Sequence, residues 1–283
     1  MKDGIYESII NEELSRNLDS DKYYIKTEKL KGKDSKNIIV NYLSEVTQRA
    51  LNTINEVDVD KDDDEIIIEE IRICNELIEL LRSKLPFDEY RELNISENAE
   101  ILEYAYNKVN NPLFDGKIIK PVTSLTEPTL FTNSSKEITL VSEIIKEIKS
   151  CDEVWLLVSF IKMSGINPIF NTLKEFTESG HKLRIITTTY MKATDFNAVK
   201  KLLELPNTEI KISFDEKTTR LHAKAYIFKR NNGYSTFYIG SSNLSSAALM
   251  SGNEWNVKLT EKKSPDIYKN GLPTKRYNFL NCF

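Results

Sequence analysis

The chain has 283 residues, 40% of them hydrophobic, and a net charge of −4 at pH 7. This length and composition allow one large domain or two ordinary domains with a buried core. The sequence has no apolar run of the about eighteen to twenty residues that a membrane span needs, and its N-terminus lacks a signal-peptide pattern. We therefore expect a soluble, cytoplasmic protein with no membrane partner.

Cysteine spacing and charge distribution indicate which kinds of binding site the chain can contain. Cys74, Cys151 and Cys282 are odd in number and lack the spacing of a metal site, which indicates reduced thiols and no zinc. Residues 57–70 carry eight acidic side chains and one lysine, as expected for a solvated loop and helix start. Residues 217–230 carry five basic side chains, including Lys217 and Arg220, and no acidic ones. A basic neighbourhood therefore lies within an acidic protein.

Residues 1–110 are predicted to be a mostly helical N-terminal region. One helix face is indicated by apolar residues at spacings of three and four: Ile39, Leu43, Val46, Ala50 and Ile54. A second helix is expected to be capped by Asp64 and to end before Pro86, and a third is expected over about 96–109. Residues 111–135 contain three prolines and no sustained period, which indicates a linker between domains.

From residue 136 onward, strands alternate with helices. The expected elements are a helix over 137–148, a strand over 153–160, a helix over 168–178, a strand over 182–188, a helix from Thr194 or Asp195 to Leu205, strands over 209–214, 221–228 and 236–240, a short helix over 244–250, and a strand over 254–259. The Asn-Asn-Gly turn before residue 236 is typical of a hairpin. The pattern predicts an α/β sandwich with a mixed sheet over 136–265, followed by a polar C-terminal tail over 266–283.

His222 and Lys224 carry the clearest chemical signal of the chain. His222 is one of two histidines, and both residues lie in the predicted strand 221–228. Because residues i and i+2 of a strand project from the same face, a nucleophile or acid is paired with a fixed cation. The segment Gly240-Ser241-Ser242-Asn243 follows the partner strand and opens a helix, a place that favours phosphate. Each signal alone is more often structural, a cap or a buried histidine.

Taken together, these segments resemble a known family. The sequence HAK at 222–224, then GSSN at 240–243, then Glu254 resembles the phospholipase D superfamily signature HxK, GSxN and a downstream acid. The text from Ala225 to Val257 is most similar to the branch in restriction-type nucleases and at the N-termini of bacterial DEAD/DEAH-box defence helicases. The resemblance covers roughly residues 136–260 and implies a phospholipase D-like α-β-α sandwich.

The resemblance also implies a role for each matching residue. His222 matches the nucleophile or general acid, Lys224 the phosphate-binding lysine, and Asn243 the amide that holds a non-bridging oxygen. Ser241 matches a secondary phosphate contact. Glu254 matches the acid that orients the catalytic imidazole, a role in which a carboxylate selects one tautomer and stabilises the imidazolium.

Two features of the chain limit this match. The longer family signature has an aspartate five residues after the lysine, where this chain has Lys229, and the nuclease branch often lacks that aspartate. Family members also need two facing motifs, but the other histidine, His181, lacks the surrounding motif and is expected to be a surface or structural residue. The resemblance therefore implies a homodimer with a shared site. No metal or cofactor is expected, because lysines and a helix terminus supply the positive charge.

These observations lead to one main hypothesis and two alternatives. The main hypothesis is a metal-independent phosphodiesterase, a DNA endonuclease in a restriction or antiphage setting, with a helicase or other defence-system partner. The first alternative is a non-catalytic module of the same fold that binds nucleic acid or a helicase. The second is a phospholipase or phosphatidyl transferase, against which stand the single motif and the missing aspartate.

Overall fold

The structure is a computed structural model that describes residues 5, 8–31, 34–57, 62–84, 93–96, 98–109, 115–132, 138–214 and 221–271. Two compact units divide the chain, residues 1–111 and residues 112–283. The helices of the described residues are α1 (Glu12–Asn17), α2 (Asp34–Val57), α3 (Asp63–Lys84), α4 (Leu140–Lys149), α5 (Met163–Glu178), α6 (Phe196–Leu203) and α7 (Pro265–Gly271). None of these described helices has the length and apolar character to cross a bilayer.

The described part of the N-terminal unit contains α1, α2 and α3, in agreement with the predicted mostly helical region. Helix α2 contains the whole predicted apolar face, and α3 ends at Lys84. The predicted cap Asp64 is wrong by two residues, because the side chain of Asp62 accepts the N–H of Glu65 at 2.9 Å and Asp64 lies inside the first turn.

The third predicted helix, over about 96–109, does not form in the described residues of that range. Asparagine side chains there bind the backbone locally, as when Asn107 Oδ1 accepts the N–H of Val109 at 2.8 Å. Asn75 of α3 holds both backbone groups of Ile95, at 2.8 and 3.0 Å. Side-chain hydrogen bonds to nearby backbone groups compete with helix formation. This competition explains why the predicted helix does not form.

The second unit is built on a mixed sheet of seven strands within the described residues. The strands are β1 (Thr129–Phe131), β2 (Glu153–Val158), β3 (Lys182–Thr188), β4 (Thr208–Ser213), β5 (Lys224–Lys229), β6 (Thr236–Gly240) and β7 (Asn256–Thr260). They lie in the order β1-β7-β6-β5-β2-β3-β4, with β2, β3 and β4 parallel and the other neighbours antiparallel.

This topology brings the functional segments to one edge of the sheet. Strands β2, β3, β4 and β6 end at this edge, and β5 and β7 begin there. We call it the upper edge, and it is defined by the strand-terminal residues Val158, Thr188, Ser213, Lys224, Gly240 and Asn256. The described residues that follow β2, β3 and β6 therefore lie at the same end of the sheet as the described residues that precede β5 and β7.

Apolar residues cover both faces of the sheet, but unequally. The main core lies between one face and helices α4, α5 and α6, and includes Tyr226, Phe228 and Tyr238 from the sheet. A smaller cluster on the other face joins Trp155 to Tyr268 of α7. The predicted α/β sandwich with a mixed sheet is thus confirmed. The apolar strand-like sequence around Trp255 predicts a core side chain, but Trp255 precedes β7 and is 65% exposed, so that prediction is wrong.

Several element boundaries differ from the sequence predictions. Strand β1 lies inside the expected linker 111–135 and pairs with β7, so that part of the linker belongs to the sheet. Helix α7 occupies the beginning of the expected tail 266–283, and residues 272–283 lie outside the described part of the chain. The expected helix over 244–250 is a π-helical turn, Ala247–Ser251.

A buried network of charges fastens the helical layer to the sheet. Glu147 of α4 lies 2.7 Å from Arg230 and 3.0 Å from Lys258, and accepts hydrogen bonds from Thr236 and Tyr238, each at 2.8 Å. Burial raises the pKa of Glu147, but attraction to Arg230 and Lys258 outweighs burial, so the pKa lies below its ordinary value. The carboxylate therefore stabilises the fold above the unfolded-state pKa of a glutamate, and this contribution is lost as the pH falls through the lowered folded value.

The same network holds the segment before β1. Lys258 Nζ donates to the Thr123 hydroxyl at 2.8 Å, and the buried Glu143 carboxylate accepts the backbone N–H groups of Val122 and Thr123 at 3.0 and 2.8 Å. Burial lowers the pKa of Lys258, and the neighbouring Glu147 acts against that effect. Two anions and two cations thus balance inside the domain.

Removing one cation from this network tests its contribution to stability. We expect Lys258→Met to lower the free energy of unfolding by about 3–5 kcal/mol, because the substitution leaves a buried carboxylate undercompensated. The measurement is urea unfolding followed by tryptophan fluorescence, which reports on this unit alone because both tryptophans lie in it.

Lys263→Met is the matched control. Its ammonium pairs with Glu127 at 3.3 Å, but both side chains are about 60% exposed. We expect a change below about 1 kcal/mol, as for other exposed ion pairs. Equal effects of the two substitutions would contradict a special contribution of the buried network.

Candidate active site

His222 and Lys224 lie together at the upper edge, although not on one strand. Strand β5 begins at Lys224, so His222 precedes it and is exposed, which corrects the predicted strand start at Leu221. Lys224 Nζ lies 3.0 Å from His222 Nδ1 and 3.3 Å from Nε2. Because an ammonium group only donates hydrogen bonds, this contact fits an unprotonated imidazole nitrogen beside a cation. A neutral imidazole is the form that can attack phosphorus.

Two opposing effects act on the pKa of Lys224. Burial lowers the pKa of Lys224, and the negative charge of Glu254 acts in the opposite direction. Glu254 lies in the loop before β7, rather than on a strand as predicted, and its backbone N–H donates to the carbonyl of Gly252 at 2.9 Å. No hydrogen bond joins the two described side chains Glu254 and His222. In this structure the carboxylate acts electrostatically on Lys224, and its orienting role on His222 stays a prediction.

The turn after β6 requires glycine at its first position. A Cβ atom on Gly240 would lie 2.1 Å from the carbonyl oxygen of Trp255, closer than any side chain can be accommodated. The close approach lets Ser241 exchange hydrogen bonds with Trp255: its N–H donates to the Trp255 carbonyl, and its hydroxyl accepts the Trp255 N–H, both at 3.1 Å. The Ser241 hydroxyl is exposed at the upper edge, where it was predicted to contact phosphate.

The side-chain oxygen of Asn243 accepts a backbone hydrogen bond, and its side-chain nitrogen remains as a donor. The side chain is 7% exposed, and its Oδ1 accepts the backbone N–H of Phe160 at 3.2 Å. Because that N–H can only donate, the contact assigns the amide orientation and leaves the Nδ2 group as a donor. A buried, oriented amide donor beside a cation fits the predicted role of binding a phosphate oxygen.

Three buried residues that the sequence analysis did not single out support this turn from below. Asn256 Nδ2 donates to the Ser242 hydroxyl at 2.8 Å, and that hydroxyl donates to the carbonyl of Ala248 at 3.1 Å. The Tyr226 hydroxyl donates to the Ser242 carbonyl at 3.1 Å, and burial raises the pKa of this tyrosine. Tyr226 and Asn256 each stand two residues after a predicted site residue, so strand alternation was the available signal.

The loop after β2 contacts both the residues before β5 and the residue before α6. Ser159 Oγ donates to the carbonyl of Ala223, the residue between His222 and Lys224, at 3.4 Å. Asp195 accepts the N–H of Met163 at 2.9 Å and an ion-pair contact from Lys162 at 3.1 Å. Hydrogen bonds to Met163 and Lys162 hold the pKa of Asp195 below its ordinary value.

His181 lies at the opposite edge of the sheet. It precedes β3, which is about 20 Å long at the usual rise per residue. Its ring stacks on Phe176 with centroids 4.8 Å apart, and its Nδ1 lies 3.1 Å from the carbonyl oxygen of Asp152. The second histidine of the chain therefore has a structural setting and does not join His222.

The part of the chain that the structure describes contains no group of three or more histidine, cysteine, aspartate or glutamate side chains placed to hold a metal ion. The basic residues Lys217 and Arg220, expected near His222, lie outside the described residues.

One family model matches a segment of this unit. Residues 144–271, just under half of the chain, match the family model described as "Cardiolipin synthase, PLD-like domain". No curated protein matches the chain by sequence.

Solved structures with similar folds include three bacterial proteins. NucT from Helicobacter pylori is 17% identical with a TM-score of 0.43, over 54% of this chain and 96% of its own. Nuc from Salmonella typhimurium, a phospholipase D family member, is 18% identical with a TM-score of 0.39, over 54% and 95%. Phosphatidylserine synthase from Haemophilus influenzae is 10% identical with a TM-score of 0.40, over 54% and 38%.

His222, Lys224, Ser241, Asn243 and Glu254 all lie in the segment that the family model matches. Residues 144–271 are therefore similar to the phospholipase D-like domain that this model describes.

Proposed function

We propose that the chain is a metal-independent phosphodiesterase, and specifically a DNA endonuclease. The observation that carries the proposal is the contact of the His222 imidazole with Lys224 Nζ at 3.0 Å, on the same sheet edge as the oriented amide of Asn243. A nucleophile, a cation and a neutral donor are the groups that attack on a phosphodiester needs.

The chemistry we propose runs in two displacement steps. An imidazole nitrogen of His222 attacks phosphorus, a phosphorus–nitrogen bond forms, and the bond to the leaving oxygen breaks. The leaving oxygen keeps the electron pair and takes a proton from His222 of a second copy. That second imidazole then removes a proton from water, and the resulting hydroxide breaks the phosphorus–nitrogen bond. Lys224 and Asn243 hold the non-bridging oxygens, where negative charge increases.

The second copy is needed because His181 lies at the other edge of the sheet, so that each chain brings one such histidine to the site. The sheet face opposite α4–α6 offers a surface for this copy. A row of cross-strand partners runs over six strands on that face and consists of Leu130, Val257, Ile239, Ala225, Leu157 and Ile186. Leu130 and Ile239 are each 46% exposed, and Val257 is 40% exposed. A second copy that packs on this apolar row would remove it from water.

The alternatives are less well supported by the arrangement of these residues. A non-catalytic nucleic-acid or helicase-binding module of this fold does not need the full set of motif residues, yet all five positions are filled here. A phospholipase or phosphatidyl transferase would fit the longer signature, in which an aspartate stands at position 229. Lys229 instead pairs with Glu153 at 2.9 Å, at the other end of β5. The restriction or antiphage setting and a helicase partner are proposed from the motif text alone.

The central experiment compares two histidine variants. Plasmid and single-stranded DNA are incubated with the full chain in excess EDTA, and we expect cleavage that His222→Ala reduces by at least roughly 10³-fold. His181→Ala is the matched control and is expected to retain cleavage, because His181 is remote from the site. Absence of cleavage by the unaltered chain at several salt concentrations would refute the nuclease proposal. Full activity of His222→Ala would refute the site assignment.

A pH profile tests the electrostatic role of Glu254. We expect Glu254→Gln to lower the pKa of Lys224 further, because the substitution removes the charge that opposes the effect of burial. The alkaline limb of the cleavage profile then moves to lower pH, since the charged ammonium is lost earlier. Glu175→Gln, an exposed charge change on α5, is expected to leave the profile unchanged. An unshifted alkaline limb in Glu254→Gln would show that this carboxylate does not act on Lys224.

Light scattering tests the shared site. We expect the mass of two chains for the unaltered protein and of one chain for Ile239→Asp, because a charge in an apolar interface is costly to desolvate. DNA cleavage is expected to fall with the dimer fraction. Leu203→Asp places the same charge at a 55% exposed position of α6, away from the apolar row, and should preserve the dimer. A single-chain mass for the unaltered protein would contradict the shared site.

A further inference from the structure

Three large apolar side chains stand exposed at the upper edge, beside β3 and β4. Met191 is 73% exposed, Phe196 is 78% exposed and Phe214 is 69% exposed. Phe196 begins α6, and Phe214 directly follows β4. The upper edge is the edge that carries His222 and Asn243. We call Met191, Phe196 and Phe214 the apolar rim.

Two of the three rim residues belong to the strained loop after β3: Met191 lies within it, and Phe196 begins α6 directly after it. Met191 and Lys192 both have positive φ, at 59° and 51°, which costs of order 1–3 kcal/mol per residue outside glycine. Hydrogen bonds hold this conformation: Lys192 N–H donates to the carbonyl of Thr189 at 2.9 Å, and the Thr194 hydroxyl donates to the carbonyl of Thr188 at 2.8 Å. A strained loop that presents apolar side chains to water points to a binding role.

The loop is also attached to the candidate active site. The N–H of Asp195, next to Phe196, donates to the carbonyl of Ile161 at 2.8 Å, and its carboxylate binds Lys162 and Met163. The same loop after β2 supplies the Phe160 N–H that orients Asn243. The start of α6 with Phe196 and the phosphate-binding amide are therefore held by one short segment of chain, whereas Phe214 follows the neighbouring strand β4.

The distance between the apolar rim and the candidate active site, and the lysines near them, fit a nucleic-acid strand that extends from one to the other. Strands β3 and β4 lie two and three positions from β5, about 10–14 Å away at the usual strand spacing. Stacked nucleotides rise about 3.4 Å each, so the rim lies roughly three to four nucleotides from the scissile phosphate. Lys162 lies between the two sites, and the exposed Lys192 belongs to the rim loop. Cations beside exposed aromatic rings are the composition of single-strand binding surfaces.

We propose that Phe196 and Phe214 stack on unpaired bases of a single-stranded nucleic acid whose backbone passes Lys162 and Lys192 on the way to His222. This inference rests on the proposed function and adds a substrate class to it. Bases in a duplex already stack on each other and face inward, so that duplex DNA gains nothing from the two rings. The rim thus selects single strands.

Binding of oligonucleotides tests the proposal without requiring cleavage. In the full chain carrying His222→Ala, we expect Phe196→Ala and Phe214→Ala each to weaken binding of a fluorescent 15-residue oligothymidylate roughly tenfold, as measured by anisotropy. An abasic strand of the same length has the phosphates without the bases, and its weaker binding should not change. The duplex of the same length should also be unaffected.

A matched substitution and a second oligonucleotide complete the test. Leu203→Ala removes an exposed apolar side chain at the far end of α6 and should leave oligothymidylate binding unchanged. Oligouridylate is measured in parallel, and the phenylalanine variants are expected to bind it more weakly as well, because stacking tolerates any base. Unchanged affinity for both oligonucleotides, or an equal loss for the abasic strand, would overturn the stacking proposal. Cleavage by the unaltered chain is scored separately, so that failure of the nuclease proposal is distinguishable from failure of the rim.

Discussion

The buried carboxylate of Glu147 is the interaction on which the sheet unit depends. It joins α4 to the hairpin of β5 and β6 through Arg230 and to β7 through Lys258. These three strands carry the histidine, the glycine turn and Glu254 at their upper ends. Because the carboxylate is fully buried and has four donors around it, it ties the three strands to one helix. The site residues lie at the upper ends of these strands.

The residues at the upper edge form an exposed level and a buried level, which have different roles. The exposed level contains His222, Lys224 and Ser241, which can contact a substrate. The buried level contains Tyr226, Ser242 and Asn256, whose hydrogen bonds hold the glycine turn in place. Asn243 belongs to both, because its oxygen is bound by the backbone and its nitrogen is not. A rigid lower level lets the upper one present oriented donors without rearrangement, which is the condition for electrostatic catalysis.

A different role is proposed for each face of the sheet and for its upper edge. The face covered by α4, α5 and α6 gives stability. The opposite face has an apolar row suited to a second copy, and the upper edge extends from the phosphate site to the apolar rim. Catalysis, association and strand selection are thus proposed for different surfaces of one sheet, and catalysis depends on association because the proposed site is shared by two copies.

Local signals in the sequence predicted a large part of this arrangement. Alternation of apolar residues located β2, β3, β5 and β6 within a few residues, and the Asn-Gly turn identified the hairpin. The failures came where side chains rather than apolar spacing decide the conformation. The third N-terminal helix is absent from the described residues of its range, where the Asn107 side chain binds the nearby backbone N–H of Val109, and Trp255 is exposed in the segment just before β7.

The sequence by itself determined which residue types are present for phosphate chemistry and in which order they occur along the chain. It could not determine that the residues before β5, after β6 and before β7 share one edge, because strand order depends on contacts between distant segments. It also left undecided that Glu254 acts on Lys224 in this structure, and that Phe196 and Phe214 are exposed on the same edge. Those features depend on register and burial, which arise only when the strands pair and the helices pack on them.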